Sequence, residues 1–265
     1  MFSSYKVIIK GGGDLASAVA YKLHQSGFPV IITETSHPKM VRRAVSFGNS
    51  IYEKTWTVEG VTSDYVDSVE QVEEILSKGH IPVLIDPECK VLEQLNPTVL
   101  VDATLAKRNI KTSIKDAPIV IGLGPGFTAQ ENAHVVIETQ RGHDLGKVIL
   151  NGAAIPNTSI PGNIEGYTHE RVFRAPNAGL LKTKVDIGDM VEKDDILCFV
   201  DETPVRAKIS GVVRGMIHSD LMVKDGQKLG DVDPRKNERY CYTISDKGRA
   251  IAGGVLETIL YFLNN

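Results

Sequence analysis

A short apolar strand that empties into a glycine turn leaves a chain few options, and this sequence has one near its start. Lys6-Val7-Ile8-Ile9-Lys10 reads as a strand and is followed at once by Gly11-Gly12-Gly13-Asp14-Leu15-Ala16. Leu15, Ala18, Val19 and Leu23 then recur at helical spacing. Gly27 stands at the C′ position, and Pro29 to Thr33 forms a second strand ending at Glu34. Gly11, Gly13 and Ala16 meet the dinucleotide pattern G-x-G-x-x-G/A, and Glu34 falls where its acidic partner is expected, roughly 20 residues on. Asp14 argues against a bare phosphate at this turn. A carboxylate about 4 Å from a phosphate charge is repelled by about 4 kcal/mol at an effective dielectric near ~20, whereas a helix N-terminus returns only ~0.3–2 kcal/mol to an anion. A pyrophosphate would therefore sit here only if a cation intervened or the Asp14 side chain turned away; otherwise Asp14 simply caps the helix.

A second stretch repeats the device. Ile119-Val120-Ile121 is long enough for a buried strand and too short for a helix, and it runs into Gly122, Gly124 and Gly126 with Pro125 between the last two. Such glycines allow positive φ and close approach to a ligand. Val135-Val136-Ile137 then leads into Glu138-Thr139-Gln140-Arg141-Gly142-His143-Asp144, a polar run that packing does not account for. These residues are expected to line a ligand site. A metal set of His134, Glu138 and His143 is not expected, because His143 falls past the end of the strand that carries the other two.

Between the two glycine turns, Ser36-His37-Pro38 is expected to start a helix carrying Arg42 and Arg43, a pair suited to a bidentate grip on phosphate. Ser68 to Gln71 has capping-box spacing. With strands also expected at Ile81–Ile85, Thr98–Val101 and Lys147–Leu150, about seven strand-like runs precede residue 151. The expectation is an α/β fold, a Rossmann-like doubly wound sheet over residues 1–170.

From Arg171 the helical periods vanish. Ala175, Gly179, Val191 and Val200 recur 32 positions later as Ala207, Gly211, Val223 and Val232. The pattern resembles the biotinyl/lipoyl barrel-sandwich domain, and a small β domain is expected over residues 171–236. The hairpin Val200-Asp201-Glu202-Thr203-Pro204-Val205 lacks the lysine that carries a swinging arm in that family, so no covalent arm is expected. Residues 237–265 are expected to form a strand, from Tyr240 to Ile244, and then a helix capped by Ser245 that returns to the first domain.

The charge of -3 argues against a general nucleic-acid or membrane-surface binder, and neither partner is expected. No signal-peptide pattern or spanning apolar run is seen, and Cys89, Cys198 and Cys241 suit reduced thiols. A cytoplasmic location is the expectation.

Six blocks together resemble one family: G-G-G-D-L-A-S at 11–17, V-R-R-A-V-S-F at 41–47, I-G-L-G-P-G-F-T-A at 121–129, V-I-E-T-Q-R-G-H-D-L-G-K-V-I at 136–149, R-A-P-N-A-G at 174–179 and I-S-D-K-G-R-A-I-A-G-G-V-L-E at 244–257. They are similar to the YqeB-type accessory proteins of selenium-dependent molybdenum hydroxylase systems, related to XdhC-type molybdenum cofactor maturation factors. The resemblance implies a maturation role and, as partners, a selenium-dependent molybdenum hydroxylase and other cofactor-maturation proteins. A homo-oligomer is compatible with it. It implies molybdopterin or its nucleotide form as ligand, an anionic pterin bearing phosphates. On this expectation Gly11, Gly13, Gly122, Gly124 and Gly126 approach phosphates beside Asp14 and Glu34. Arg42, Arg43 and Arg141 pair charge, and His143 and Asp144 orient the bound group. Were selenium or sulfur transferred, Cys241 would be the best-placed thiolate. Two rival readings are an NAD(P)-dependent oxidoreductase built on Gly11, Gly13, Ala16 and Glu34, with His143 as proton donor, and a non-catalytic docking scaffold. Whether the chain is an enzyme stays open at this point.

Overall fold

The computed structural model describes residues 2–265. It divides into two compact units. The first holds residues up to Pro38, Ser46–Asn157 and Ile244–Asn265; the second holds Lys39–Val45 and Thr158–Thr243.

The first unit is built on a sheet of nine strands. They are β1 (Val7–Lys10), β2 (Val30–Glu34), β3 (Thr55–Val58), β4 (Val61–Val66), β5 (Ile81–Ile85), β6 (Val99–Asp102), β7 (Ile119–Leu123), β9 (Val135–Ile137) and β10 (Val148–Ile149); β8 (Thr128–Ala129) pairs separately with β11 (Gly152–Ala153). The order is β10-β9-β7-β6-β1-β2-β5-β4-β3. The seven strands β9-β7-β6-β1-β2-β5-β4 run parallel, and each edge is finished by an antiparallel partner, β3 on β4 and β10 on β9. Uninterrupted β-branched runs such as Val7-Ile8-Ile9 and Ile119-Val120-Ile121 suit strands buried on both faces, and these are fully or nearly fully buried.

Five helices belong to this unit: α1 (Asp14–Gln25), α2 (Ser50–Glu53), α3 (Val72–Ser77), α4 (Leu92–Leu95) and α5 (Asp246–Asn264). Ser245 caps α5, its Oγ accepting the N–H of Gly248 at 3.1 Å. Gly248 and Gly254 let α5 sit close. A Cβ on Gly248 would lie 2.8 Å from Ala18 Cβ of α1, and one on Gly254 would lie 2.2 Å from the carbonyl oxygen of Gly146. So α5 is clamped between α1 and the β9–β10 hairpin by two side chains it does not have.

The second unit holds two four-stranded antiparallel sheets, with order β12-β19-β17-β14 and β16-β15-β13-β18. Their strands are β12 (Val172–Arg174), β13 (Gly179–Thr183), β14 (Met190–Val191), β15 (Ile196–Val200), β16 (Thr203–Arg206), β17 (Gly211–Met216), β18 (Met222–Val223) and β19 (Lys228–Asp233). The 32-residue spacing has a structural counterpart: Gly179 and Gly211 open β13 and β17, and Val191 and Val223 close β14 and β18.

These observations correct the expected fold. The chain is not a Rossmann-like doubly wound sheet followed by a biotinyl/lipoyl-like barrel-sandwich. The large sheet is mixed, with antiparallel strands closing both edges, and the connections from β6 to β7 and from β7 to β9 contain no helix. The later strands form two separate sheets. Two local expectations also fail. The segment carrying Arg43 is a 3-10 turn, Arg43–Val45, and not a helix from Ser36. Residues from Tyr240 fall in another 3-10 turn, Glu238–Cys241, where a strand was expected. Among the described residues no helix is long and apolar enough to cross a membrane.

Candidate functional site

The parallel strands of the first unit end along one edge, where open α/β sheets place ligands. Lys10, Glu34, Asp102 and Leu123 close β1, β2, β6 and β7 there, and Glu138 follows β9. Each has a definite partner set.

At the centre the register sets Lys10 opposite Asp102. Both side chains are buried, with Nζ and Oδ2 3.7 Å apart. Thr112 Oγ1 donates to Asp102 Oδ2 at 2.5 Å, and Thr104 donates to Oδ1 through its hydroxyl at 2.7 Å and its N–H at 3.1 Å. Lys10 Nζ also donates to the carbonyl of Ile110 at 2.9 Å. This buried ion pair is satisfied on both sides and ties the loop after β6 to the edge.

The expected glycine cradles are mostly spent on the chain itself. A Cβ on Gly11 would lie 3.1 Å from the carbonyl of Ala103, and one on Gly12 would lie 2.8 Å from the Cα of Gly48. In the second turn Gly122 abuts the Phe127 ring, Gly124 abuts Thr139, and Gly126 would bring a Cβ within 2.7 Å of the backbone of Arg108. Gly13 alone of these has open space around its missing side chain. The Glu34 carboxylate accepts the N–H groups of Gly12 and Thr35, each at 2.7 Å, so it braces the turn. These are corrections to the phosphate-cradle expectation, and their cause is close backbone packing.

Glu138 is similarly committed, accepting from the N–H of Gln140 at 2.7 Å and of Ile155 at 2.8 Å. Arg141 forks onto Asp246, the first residue of α5, at 2.7 and 3.0 Å. His143 and Asp144 are exposed on the same hairpin, with Asp144 3.3 Å from Lys147.

The residue that the sequence did not single out is Lys247. It is half-buried in the first turn of α5, and burial foremost, then Arg141, holds its ammonium below the ordinary lysine range, while Asp14, Glu138 and Asp246 pull the other way. Among the described residues it makes no hydrogen bond or ion pair. The close seats of Gly248 on α1 and Gly254 on the hairpin fix it there. A cation in the first turn of a helix opposes the helix dipole, so fold stability gives no reason for a lysine at this position.

Three expected site residues lie in the second unit. Arg42 is buried and donates to the carbonyls of Tyr240 at 2.8 Å and Thr243 at 3.0 Å. Arg43 donates to the carbonyl of Met216 at 3.1 Å and pairs with Asp186. Both are structural, which corrects the phosphate grip assigned to them. Cys241 is fully buried, its Sγ 3.6 Å from the carbonyl of Val213, and burial pushes the thiol up to about 11 despite Arg42 and Arg214 nearby. A protonated, enclosed thiol is no nucleophile. Among the described residues no group of three or more His, Cys, Asp or Glu side chains is arranged to hold a metal. His134 instead accepts the N–H of Val120 through Nδ1 at 3.0 Å.

No family model matches the sequence. Among solved structures, the apo ectoine utilization protein EutE (DoeB) of Ruegeria pomeroyi shares 11% identity, with 88% of this chain and 87% of that one covered at a TM-score of 0.27. An aspartoacylase family protein of Mesorhizobium loti shares 9%, covering 86% and 84%, at 0.27. Likeness at that level carries no argument about activity. The protein described as "Uncharacterized protein YqeB" of Escherichia coli (strain K12) is 44% identical over 258 residues, 97% of this chain and 48% of that protein. That similarity runs along nearly the whole of this chain, which spans about half the length of that relative.

Proposed function

We propose that this chain is an accessory protein in the maturation of a selenium-dependent molybdenum hydroxylase, and that it holds an anionic, phosphate-bearing pterin cofactor at the carboxyl edge of its large sheet. The single observation that carries the reading is Lys247, a half-buried ammonium without a bonded partner among the described residues. It lies in the first turn of α5 next to Gly248, which sits against Ala18 of α1, and Gly13, the N-cap of α1, has open space around its missing side chain. A phosphate oxygen would give Lys247 the hydrogen-bond acceptor it lacks and would face the N-terminal ends of two helices, with Lys247 and Arg141 set against the carboxylates of Asp14, Glu138 and Asp246. The nicotinamide reading loses its main support because Glu34, the expected ribose ligand, is occupied by Gly12 and Thr35. The whole-chain similarity to YqeB supports the family context, and the hydroxylase and the other maturation proteins remain the proposed partners.

Pterin fluorescence tests the reading directly. Titrating a molybdopterin dinucleotide into wild type and Lys247→Met should show at least a tenfold loss of affinity in the variant. Equal affinities would remove the cofactor site from this edge. Binding of NAD(P) in its place would return the oxidoreductase reading.

A further inference from the structure

The first unit has a second concave site at the opposite, amino end of its strands. A cleft of about 420 Å³ is lined by Lys6, His24, Phe28, Glu73, Leu76 and His80, among others. That volume lies within the range of small-ligand pockets. Lys6 precedes β1 and Lys10 ends it, so the cleft is about 13 Å along the strand from the carboxyl edge. It plays no part in the function proposed above.

Its polar groups are unevenly committed. Lys6 Nζ lies 2.6 Å from Glu73, and His80 Nδ1 lies 2.7 Å from Asp64, which leaves the other ring nitrogen of His80 unused by that contact. The His24 ring makes no hydrogen bond or ion pair among the described residues. Burial, and His80 after it, holds the His24 imidazole below its ordinary range. The charged groups on the surrounding elements are Lys22 on α1 itself, Lys6 before β1, Glu73, Glu74 and Lys78 on and after α3, and His80 with Asp64 behind it. Near the helix ends, the carbonyls of Lys22, Leu23 and His24 accept the N–H groups of Ser26, Gly27 and Phe28, and those of Glu74, Ile75 and Leu76 accept the N–H groups of Lys78, Gly79 and His80. The cleft thus presents spare donors beside an apolar floor containing the buried Phe28 ring.

We propose that this cleft binds a small organic anion, a carboxylate or phosphate on a flat apolar body, with Lys6 and His24 meeting the charge and Phe28 and Leu76 the body. An anion there offsets the repulsion between the imidazoles of His24 and His80, so binding carries proton uptake and strengthens as pH falls.

Benzoate is the probe, with benzyl alcohol as the uncharged control, and the His24 ring signal is followed by NMR between pH 5 and about 8 on the whole chain. Saturating benzoate should move the His24 titration to higher pH by at least half a unit, and affinity should rise about threefold or more from pH ~8 to ~6. Lys6→Met, a change at a partly exposed side chain, should weaken binding at both pH values. His24→Gln should abolish the pH dependence while leaving the Lys6 effect. Benzoate that leaves the His24 titration unmoved, or that binds no better than benzyl alcohol, overturns the proposal, and the wild-type titration decides this even if a variant fails to fold.

Discussion

Glu34 turns its carboxylate back on the glycine turn, and its Oε2 accepts the N–H of Gly12 at 2.7 Å. The acid that a dinucleotide fingerprint would give to a ribose here holds the turn in shape. The same turn is closed from the other side, where the N–H of Gly48 donates to the carbonyl of Gly12 at 3.0 Å. Glu34→Ala should therefore cost about 1–3 kcal/mol of stability by releasing two N–H groups. A urea titration checks it. A switch in nucleotide preference at unchanged stability would contradict the bracing role.

The buried pair of Lys10 and Asp102 should be the most sensitive charged contact of the first unit. Asp102→Ala leaves an ammonium in the interior without its counter-ion, for an expected loss of about 3–5 kcal/mol. Asp102→Asn keeps the hydrogen-bond acceptor for Thr112 and should cost less. Thermal unfolding of the two variants gives the order, and equal effects would mean that charge is not what matters there.

All three cysteines are buried, and burial pushes Cys89, Cys198 and Cys241 up to about 11, 12 and 11. At pH ~8 the native protein should leave a thiol reagent such as DTNB unreacted for as long as it stays folded, and denaturant should expose all three at once. Rapid labelling of Cys241 in the native state would revive it as a nucleophile.

Lys247 should be a stability cost. Its folded-state pKa is lowered, so the folded chain binds fewer protons than the unfolded chain at pH values between the two. The penalty is fully present below the folded value and fades as pH rises toward the unfolded value near ~10.4. Lys247→Met should raise stability by about 0.5–2 kcal/mol near neutral pH, with the gain shrinking in alkaline buffer. Calorimetry across pH measures this, and a destabilised variant would show that Lys247 makes a structural contact.

The legible parts of the sequence were those fixed by local periodicity. The strand, turn and helix from Val7 to Glu34 lie where the pattern put them, as do the Ser68–Gln71 capping box and the helix after Ser245. The hairpin of β3 and β4 escaped notice because Trp56, Thr57, Thr62 and Ser63 alternate too weakly to read as strands. Arg42 and Arg43 looked like free charges because their acceptors, the carbonyls of Tyr240 and Met216, lie far along the chain. Lys247 was hidden for a similar reason. The apolar period of Ile251, Val255 and Ile259 marks only the buried face of α5. What makes Lys247 unusual is its burial and then Arg141, more than 100 residues away in the chain. Glycine spacing reported tight backbone packing faithfully and could not say whether ligand or chain would fill the space.

One experiment bears most directly on the cofactor site. Wild type and Lys247→Met would be purified anaerobically from cells supplied with molybdenum and selenium, then denatured, and the released small molecules analysed by mass spectrometry. A molybdopterin species near stoichiometry in wild type, and lost from a variant that remains folded, is the predicted result. Equal amounts released from both proteins, or a nicotinamide nucleotide instead, would contradict it.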